Sequence, residues 1–373
     1  MSGLGSRYPD SIVSIRQLVH QKPCLALVYN LLTADCRRGF MLPNARFKEL
    51  LIDIEPSSTT TTQASLAHQS VRAHLRSHPN FKGHWEGSFL AGSYTRDTAI
   101  RPRTTADGYE RPDVDIIIET NFSTTDDPTD VLWEVKDALE DEFTVERVNK
   151  RSVRVITANA EIDVVPVVAS GSGYLLPDRD LGYWKSTNPP AHTRWSAEQN
   201  ARFGGRFKPL VKLLKWWRRE NKTGKRPKGF VLEVLVSLHA PTNETHYGEA
   251  FAQLLENIHS AYANLAKLDL KPHIEDPAIP GNNILSKISL TDWKNFLERV
   301  RVHAAYARKA QAQSADDMEE ATRLWRILFG SRLKATESAV KASHLGATST
   351  ATASMGYTFP DENATPTKPR GFA

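Results

Sequence analysis

The chain is 373 residues long, which is more than one ordinary compact domain holds and enough for two lobes. Apolar residues make up 40% and charged residues 24%, as in folded water-soluble proteins, and no apolar run approaches the roughly 18 residues of a membrane span. The net charge of +5 fits a protein that handles phosphates, although it does not require one.

Residues 1–55 predict an N-terminal helical segment. Apolar residues recur at helical spacing in 12–18, and a second helix is expected in ARFKELLIDIEPS. The first ten residues lack the charged-then-apolar layout of a signal peptide. Cys24 and Cys36 match no zinc-binding spacing. We therefore expect a cytoplasmic protein with reduced thiols and no structural zinc.

Residues 56–190 predict a lobe that mixes helices and strands. A hydroxyl-rich run opens a helix whose apolar face includes Leu66, Val71 and Leu75. A second helix follows Pro128, with Asp130 as its candidate cap. Five short β-branched stretches predict strands, in SFLAGSY, VDIIIET, FTVERV, SVRVITA and EIDVVPVVA.

The remainder of the chain predicts a separate helical lobe and a tail. Apolar residues recur at helical spacing through residues 191–333, and Gly330 is the candidate stop of the last helix. Residues 334–373 are rich in Ala, Thr, Ser and Pro and contain few large apolar residues, so we expect them to be disordered. The fold class predicted overall is α+β, with a mixed sheet flanked by helices and a C-terminal helical lobe.

Three aspartates stand on strands that otherwise look apolar. Asp113 and Asp115 are two residues apart and share a face of one strand, while Asp163 lies between Ile162 and Val164 on another. Unpaired carboxylates in such a setting are costly, and Mg²⁺ is a hard cation that binds carboxylates together with substrate phosphates. The alternative is structural: a turn cap, an arginine partner and a strand end.

A Gly-Ser turn precedes the aspartates. Gly92 lets the backbone turn tightly, and Ser93 offers a hydroxyl and an N–H to a phosphate oxygen. The turn and the three carboxylates together predict a phosphoryl-transfer site more strongly than either motif alone.

This combination resembles the DNA polymerase beta-like nucleotidyltransferase superfamily. Within it, the chain is similar to the cGAS/DncV-like nucleotidyltransferases (CD-NTases) of bacterial CBASS anti-phage systems, over about residues 66–333. The motifs that carry the resemblance are GSYTRDTAIRP, DVDIIIE, EIDVVP, TNPPAHTRW, FKPLVKLLKWW, DPAIPGNNILS and LWRILFGSRL. The resemblance implies a polymerase beta-like catalytic lobe, with the active site in the cleft between it and the helical lobe.

The resemblance also implies roles for the acidic residues and the turn. Asp113, Asp115 and Asp163 would be catalytic and would bind two Mg²⁺ ions, with Mn²⁺ as an alternative. Asp163 would also help activate the attacking ribose hydroxyl. Gly92 and Ser93 would hold the triphosphate of an NTP, with ATP as the first candidate.

Three residues of the helical lobe would complete the nucleotide site. Lys215 would contact the triphosphate from a long helix, with Lys212 further round the same side and more exposed. Phe230 would stack on the donor base, or alternatively fill the core. Gly229 stands where many relatives have a serine, which puts one phosphate contact in doubt. The basic segment 215–228 is interpreted as solvated surface, with a nucleic-acid-binding patch as the alternative.

By resemblance, the chain joins NTPs into a cyclic di- or trinucleotide second messenger and releases pyrophosphate. The alternatives are a template-independent transferase that modifies RNA or protein, and a non-catalytic nucleotide sensor. Activation by nucleic acid is not expected. A CBASS regulatory protein is expected as a partner, including a ubiquitin-transfer-like enzyme that would conjugate the C-terminal Ala373.

Overall fold

The computed structural model describes residues 42–105, 108–221, 226–314 and 317–335. The helix predicted in 12–18, both cysteines and the C-terminal tail from residue 336 lie outside this part of the chain. Among the helices described, none is both long and apolar enough to cross a membrane.

Ten helices and eleven strands make up the described structure. The helices are α1 (Asn44–Ile54), α2 (Ser58–Ser77), α3 (Gly92–Thr95), α4 (Pro128–Glu140), α5 (Pro189–Arg202), α6 (Phe207–Glu220), α7 (Gly229–His239), α8 (Tyr247–Lys267), α9 (Leu290–Gln311) and α10 (Met318–Phe329). The strands are β1 (Trp85–Ala91), β2 (Thr104–Thr105), β3 (Gly108–Tyr109), β4 (Asp113–Thr120), β5 (Thr144–Val148), β6 (Val153–Ile156), β7 (Glu161–Ser170), β8 (Gly173–Asp178), β9 (Tyr183–Thr187), β10 (Glu275–Asp276) and β11 (Ile279–Asn283).

A seven-stranded mixed sheet forms the first lobe. Its central order is β1-β4-β7-β6-β5, and β8 and β9 extend it from the end of β7. The pair β4–β7 is parallel, whereas β1, β6 and β5 join antiparallel to their neighbours. The five predicted strands are all present, and the β8–β9 hairpin is an addition that the sequence interpretation missed.

Helices α2 and α4 cover one face of the sheet. The alternate residues Val114, Ile116 and Ile118 of β4 are fully buried against them. Alternation therefore turns Asp113 and Asp115 toward the opposite face.

Two details of these helices differ from the predictions. Leu66 is 61% exposed, and Ala64 and Ala67 take its place on the buried face of α2, where Val71 and Leu75 lie as predicted. The cap of α4 is Asp127 rather than Asp130, since its side chain accepts the Thr129 N–H at 2.7 Å.

The second core is helical and draws on both ends of the described chain. Phe47, Leu50 and Ile54 of α1 pack with α6–α10 in one buried cluster. The first described helix therefore contributes to the C-terminal core rather than standing alone. Gly330 ends α10 with a φ of 72°, as its position in the sequence predicts.

Candidate active site

The three aspartates meet at the start of two adjacent parallel strands. Asp115 of β4 is the register partner of Asp163 of β7, and Asp113 is the partner of Glu161. Because the pairing is in register, Asp113, Asp115 and Asp163 lie on the sheet face that α2 and α4 leave uncovered. The strand pairing therefore brings these three residues together, as the sequence predicts.

An arginine that the sequence interpretation missed binds this cluster. Arg154 of β6 donates to Asp113 at 2.9 Å, to Glu161 at 2.7 Å, and to both carboxylate oxygens of Asp163. Register explains the contact, since Arg154 lies directly across from Asp163 in the β6–β7 pair. Its guanidinium supplies the counter-charge that the carboxylates need.

Asp163 is the most firmly held of the three aspartates. Its Oδ1 accepts hydrogen bonds from Asn149 at 3.0 Å, from Ser152 at 3.1 Å and from Arg154 at 3.2 Å. These donors fix the carboxylate in one orientation. Asp115, in contrast, has no cation in direct contact among the ion pairs of the described residues.

The environment of Asp115 disfavours its negative charge. Burial raises the pKa of Asp115 to about 7, and the neighbouring charges of Asp113 and Asp163 act in the same direction. A divalent cation placed among these groups would oppose both effects. Three oxygen donors on one face suit Mg²⁺ by ligand type. Within the described residues, however, no group of three metal-ligating side chains is preformed as a metal site.

Gly92 is fixed by its approach to Asp115. A Cβ at this position would lie 1.8 Å from the Asp115 Oδ2 and 2.8 Å from its Cγ. The φ of 75° also falls in the region that favours glycine. The Gly-Ser turn thus packs directly against the carboxylate of Asp115. Ser93 follows as the second residue of α3.

A buried glutamate ties this turn to the helical lobe. Glu233 of α7 is 0% exposed and accepts Arg96 in a bidentate pair at 2.9 and 3.2 Å, Thr98 at 2.9 Å and Lys215 at 2.8 Å. Thr98 donates its N–H to the carbonyl of Ser93 at 2.9 Å. Burial would raise the pKa of Glu233, but the charges of Lys215 and Arg96 prevail and lower it to about 2.

Lys212 and Lys215 of α6 are both largely buried. Lys215 is only 4% exposed, and its Nζ lies 3.0 Å from both the carbonyl and the hydroxyl oxygen of Thr98, in addition to Glu233. In this arrangement its ammonium is therefore bound by protein acceptors. Lys212 is also 4% exposed, because it pairs with Glu55 at 2.7 Å and Asp97 at 3.1 Å. In the described part of the basic segment, residues 215–221 and 226–228, Lys215 is buried and Arg218 and Arg219 are partly buried, so these residues are not all solvated surface.

Gly229 and Phe230 begin α7 beside this network. A Cβ on Gly229 would lie 3.1 Å from the Cε of Lys215, so the glycine packs onto the lysine stem. Phe230 is partly buried, with its ring edge-on to His192 at 4.8 Å and the Arg96 guanidinium 5.4 Å above it. Lys215, Gly229 and Phe230 therefore lie together near Arg96. Arg96 in turn follows Ser93 by three residues.

Comparison with known proteins identifies a domain family and two relatives of this chain. Residues 41–200 match the model of the Second Messenger Oligonucleotide or Dinucleotide Synthetase domain. The chain is 45% identical to a cyclic AMP-AMP-AMP synthase of Acinetobacter over 89% of this chain and 98% of that protein. It is 27% identical to a cyclic AMP-AMP-GMP synthase of Enterobacter hormaechei over 77% of this chain and 91% of that protein.

Solved structures share the fold at low sequence identity. The CD-NTase CdnG of Bradyrhizobium diazoefficiens, solved with GTP, matches with a TM-score of 0.64 and 17% identity, over 80% of this chain and 97% of that one. CdnC of Escherichia coli, solved in a complex with HORMA, matches with a TM-score of 0.59 and 17% identity, over 79% and 98%. The chain belongs to the CD-NTase family of nucleotidyltransferases that synthesise cyclic oligonucleotide second messengers.

Proposed function

We propose that this chain uses ATP alone to make a cyclic trinucleotide of three AMP units, in anti-phage defence. The observation that carries the chemistry is the in-register placement of Asp115 and Asp163 on one sheet face, with Gly92 against Asp115. The choice of three adenosines rests on the 45% identity to the Acinetobacter synthase of that name. Since NTPs are its substrates, we place the enzyme in the cytoplasm.

In this proposal Asp113, Asp115 and Asp163 bind two Mg²⁺ ions. The ions would neutralise charge on the triphosphate. They would also make more acidic the ribose hydroxyl that attacks the α-phosphate. The role of the protein is to hold the reacting groups. Asp163 stays oriented by its three hydrogen-bond donors and accepts the proton of the attacking hydroxyl. Ser93 donates its N–H and hydroxyl to the triphosphate. For Asp113 to bind an ion, its hydrogen bond from Arg154 would have to break.

The helical lobe would hold the donor nucleotide. Phe230 offers a partly exposed ring for base stacking. Direct contact between Lys215 and the triphosphate requires its ammonium to release an acceptor, either Thr98 or Glu233. Glycine at 229 leaves the lysine stem room to shift, since no side chain stands in its way on that side.

Labelled ATP tests whether the reaction is cyclisation. We expect purified full-length protein with Mg²⁺ and α-labelled ATP to give a small labelled product that resists phosphatase. Asp113→Ala/Asp115→Ala should reduce the rate by on the order of 10³-fold or more. The matched control Asp137→Ala/Asp269→Ala removes two exposed carboxylates and should retain full activity. A labelled RNA or protein instead would establish the transferase alternative, and full activity in the first double variant would exclude this site.

We further propose a protein regulator. The complex of the structurally similar CdnC with HORMA supports a partner of this kind. Conjugation of Ala373 by a ubiquitin-transfer-like enzyme is a second route, on a residue outside the described part of the chain. Co-expression with the neighbouring operon genes, followed by mass spectrometry of the C-terminal peptide, tests it. An unmodified C-terminus in phage-protected cells would refute conjugation.

A further inference from the structure

A polar cavity lies where four segments of the chain meet. Its volume is about 220 Å³. The walls come from the start of α2, from the segment after α3, from β3 and from the 3-10 turn that follows α10. The lining residues are Ser57, Thr60, Arg101, Pro102, Tyr109 and Arg332. None of them belongs to the proposed nucleotide site.

The cavity wall carries two guanidinium groups and no carboxylate. Arg101 and Arg332 share one acid behind the wall, Asp53, at 3.5 and 2.8 Å. A guanidinium has five N–H donors. Arg101 also donates its Nε to the carbonyl of Glu55 at 3.1 Å, which leaves donors on both arginines. Their side chains are 32% and 37% exposed, so both arginines are accessible from solvent.

A third arginine reinforces the positive charge. Arg219 donates Nη1 to the carbonyl of Arg101 at 2.7 Å and lies 4.1 Å above the ring of Trp216, which Arg332 also approaches at 5.6 Å. Its Nε and Nη2 are buried and have no hydrogen-bond partner among the described residues. Glu110 and Glu220 lie nearby, with Glu110 already paired to Arg103 at 2.9 Å. Arg219 does not line the cavity, so it adds positive charge beside Arg101 rather than a direct ligand contact.

Three hydroxyl groups complete the wall. The Oγ of Ser57 lies 2.8 Å from the Oγ1 of Thr60, which lies 3.5 Å from the hydroxyl of Tyr109. Arginine forks combined with hydroxyl donors match the oxygens of a phosphate group. The volume is below the roughly 300–1,000 Å³ of pockets that enclose drug-sized ligands, so the cavity would enclose a phosphate group but not a whole nucleotide.

We propose that this cavity binds a phosphate group, either as the free ion or as the end of a small phosphate monoester. Such a ligand bridges Arg101 and Arg332, and thereby joins the segment after α3 to the 3-10 turn that follows α10. Arg101 is three residues beyond Thr98, which contacts both Ser93 and Glu233. The site therefore lies on the same chain segment as the catalytic turn but does not depend on the proposed reaction.

Calorimetry with inorganic phosphate tests the site in the full-length protein. EDTA is present, so that metal-dependent binding at the aspartates does not contribute, and sodium chloride of equal ionic strength is the reference. We expect saturable binding that Arg101→Gln/Arg332→Gln weakens about tenfold or more. The control Arg301→Gln/Arg323→Gln removes the same charge at exposed ion pairs on α9 and α10 and should bind as the wild type does.

Milder variants keep the test decisive if the double variant does not fold. Tyr109→Phe removes one hydroxyl, and Arg332→Lys keeps the charge but loses the fork, so each should weaken binding severalfold. Ribose 5-phosphate compared with phosphate distinguishes the source: tighter binding of the sugar phosphate indicates a monoester, and equal binding indicates the free ion. No saturable binding by the wild type, or equal binding by wild type and all pocket variants, would overturn the proposal.

Discussion

Removing the carboxylate of Glu233 is the sharpest structural test of how the lobes are joined. The Glu233→Ala change leaves Arg96 and Lys215 buried without their shared acid, and it deprives Thr98 of an acceptor. Loss of one partner of a buried ion pair costs about 3–5 kcal/mol, because the remaining charge stays out of water. We expect the free energy of unfolding to fall by about that amount.

Urea unfolding followed by circular dichroism measures this cost. Glu298→Ala is the matched control, since it breaks an exposed pair with Arg301 and should cost less than about 1 kcal/mol. Glu233→Leu/Lys215→Met removes the acid and one of its two cations, so only Arg96 stays unpaired, and it should be more stable than Glu233→Ala. A loss below about 1 kcal/mol in Glu233→Ala, or no gain in the double variant, would refute the network as a joint between the lobes.

Three further predictions concern the turn, the base platform and pH. Gly92→Ala should abolish activity, because the new Cβ clashes with the Asp115 carboxylate. Gly171 is also at positive φ but has open space around it, so Gly171→Ala should keep activity at a similar backbone cost of about 1–2 kcal/mol. Equal activities of the two variants would contradict this. Phe230→Ala should raise the KM for ATP about tenfold with little change in kcat, given about 1–3 kcal/mol for base stacking; an unchanged KM would remove the platform. His303 accepts the Trp217 indole N–H at 2.9 Å, and burial lowers the pKa of His303 to about 4. Below pH 6.5, the ordinary pKa of histidine, the unfolded chain binds this proton and the folded one does not. His303 therefore contributes about 2 kcal/mol to the fall in stability between pH 7 and 5, and the fall in His303→Asn should be smaller by that amount in urea titrations.

The sequence contained enough to place the three aspartates near one another. Alternation in DVDIIIE set Asp113 and Asp115 on one face, and the structure puts Asp163 beside Asp115 because β4 and β7 pair in parallel. That parallel pairing follows from the order of the whole sheet, which no local pattern carries. The need for glycine at 92 was predicted from the turn, but its approach to Asp115 became visible only in three dimensions.

The charged residues of the core were harder to predict. Helical spacing alone places Lys212 on a solvent side, but acids from elsewhere in the chain, Glu55 and Asp97, bury it. Glu233 left one signal, since it is the only charged residue in the apolar helix GFVLEVLVSLH and so required a buried partner. Arg154 left none, because its role depends on its strand partner Asp163.

The identity of the product tests the central claim most directly. The wild-type protein is incubated with Mg²⁺ and either ATP alone or all four NTPs, and the products are identified by mass spectrometry before and after nuclease digestion. The account predicts one product, a ring of three AMP units, formed from ATP alone and unchanged when the other NTPs are added. A product that requires GTP, CTP or UTP, or linear oligoadenylate without a closed ring, would contradict it.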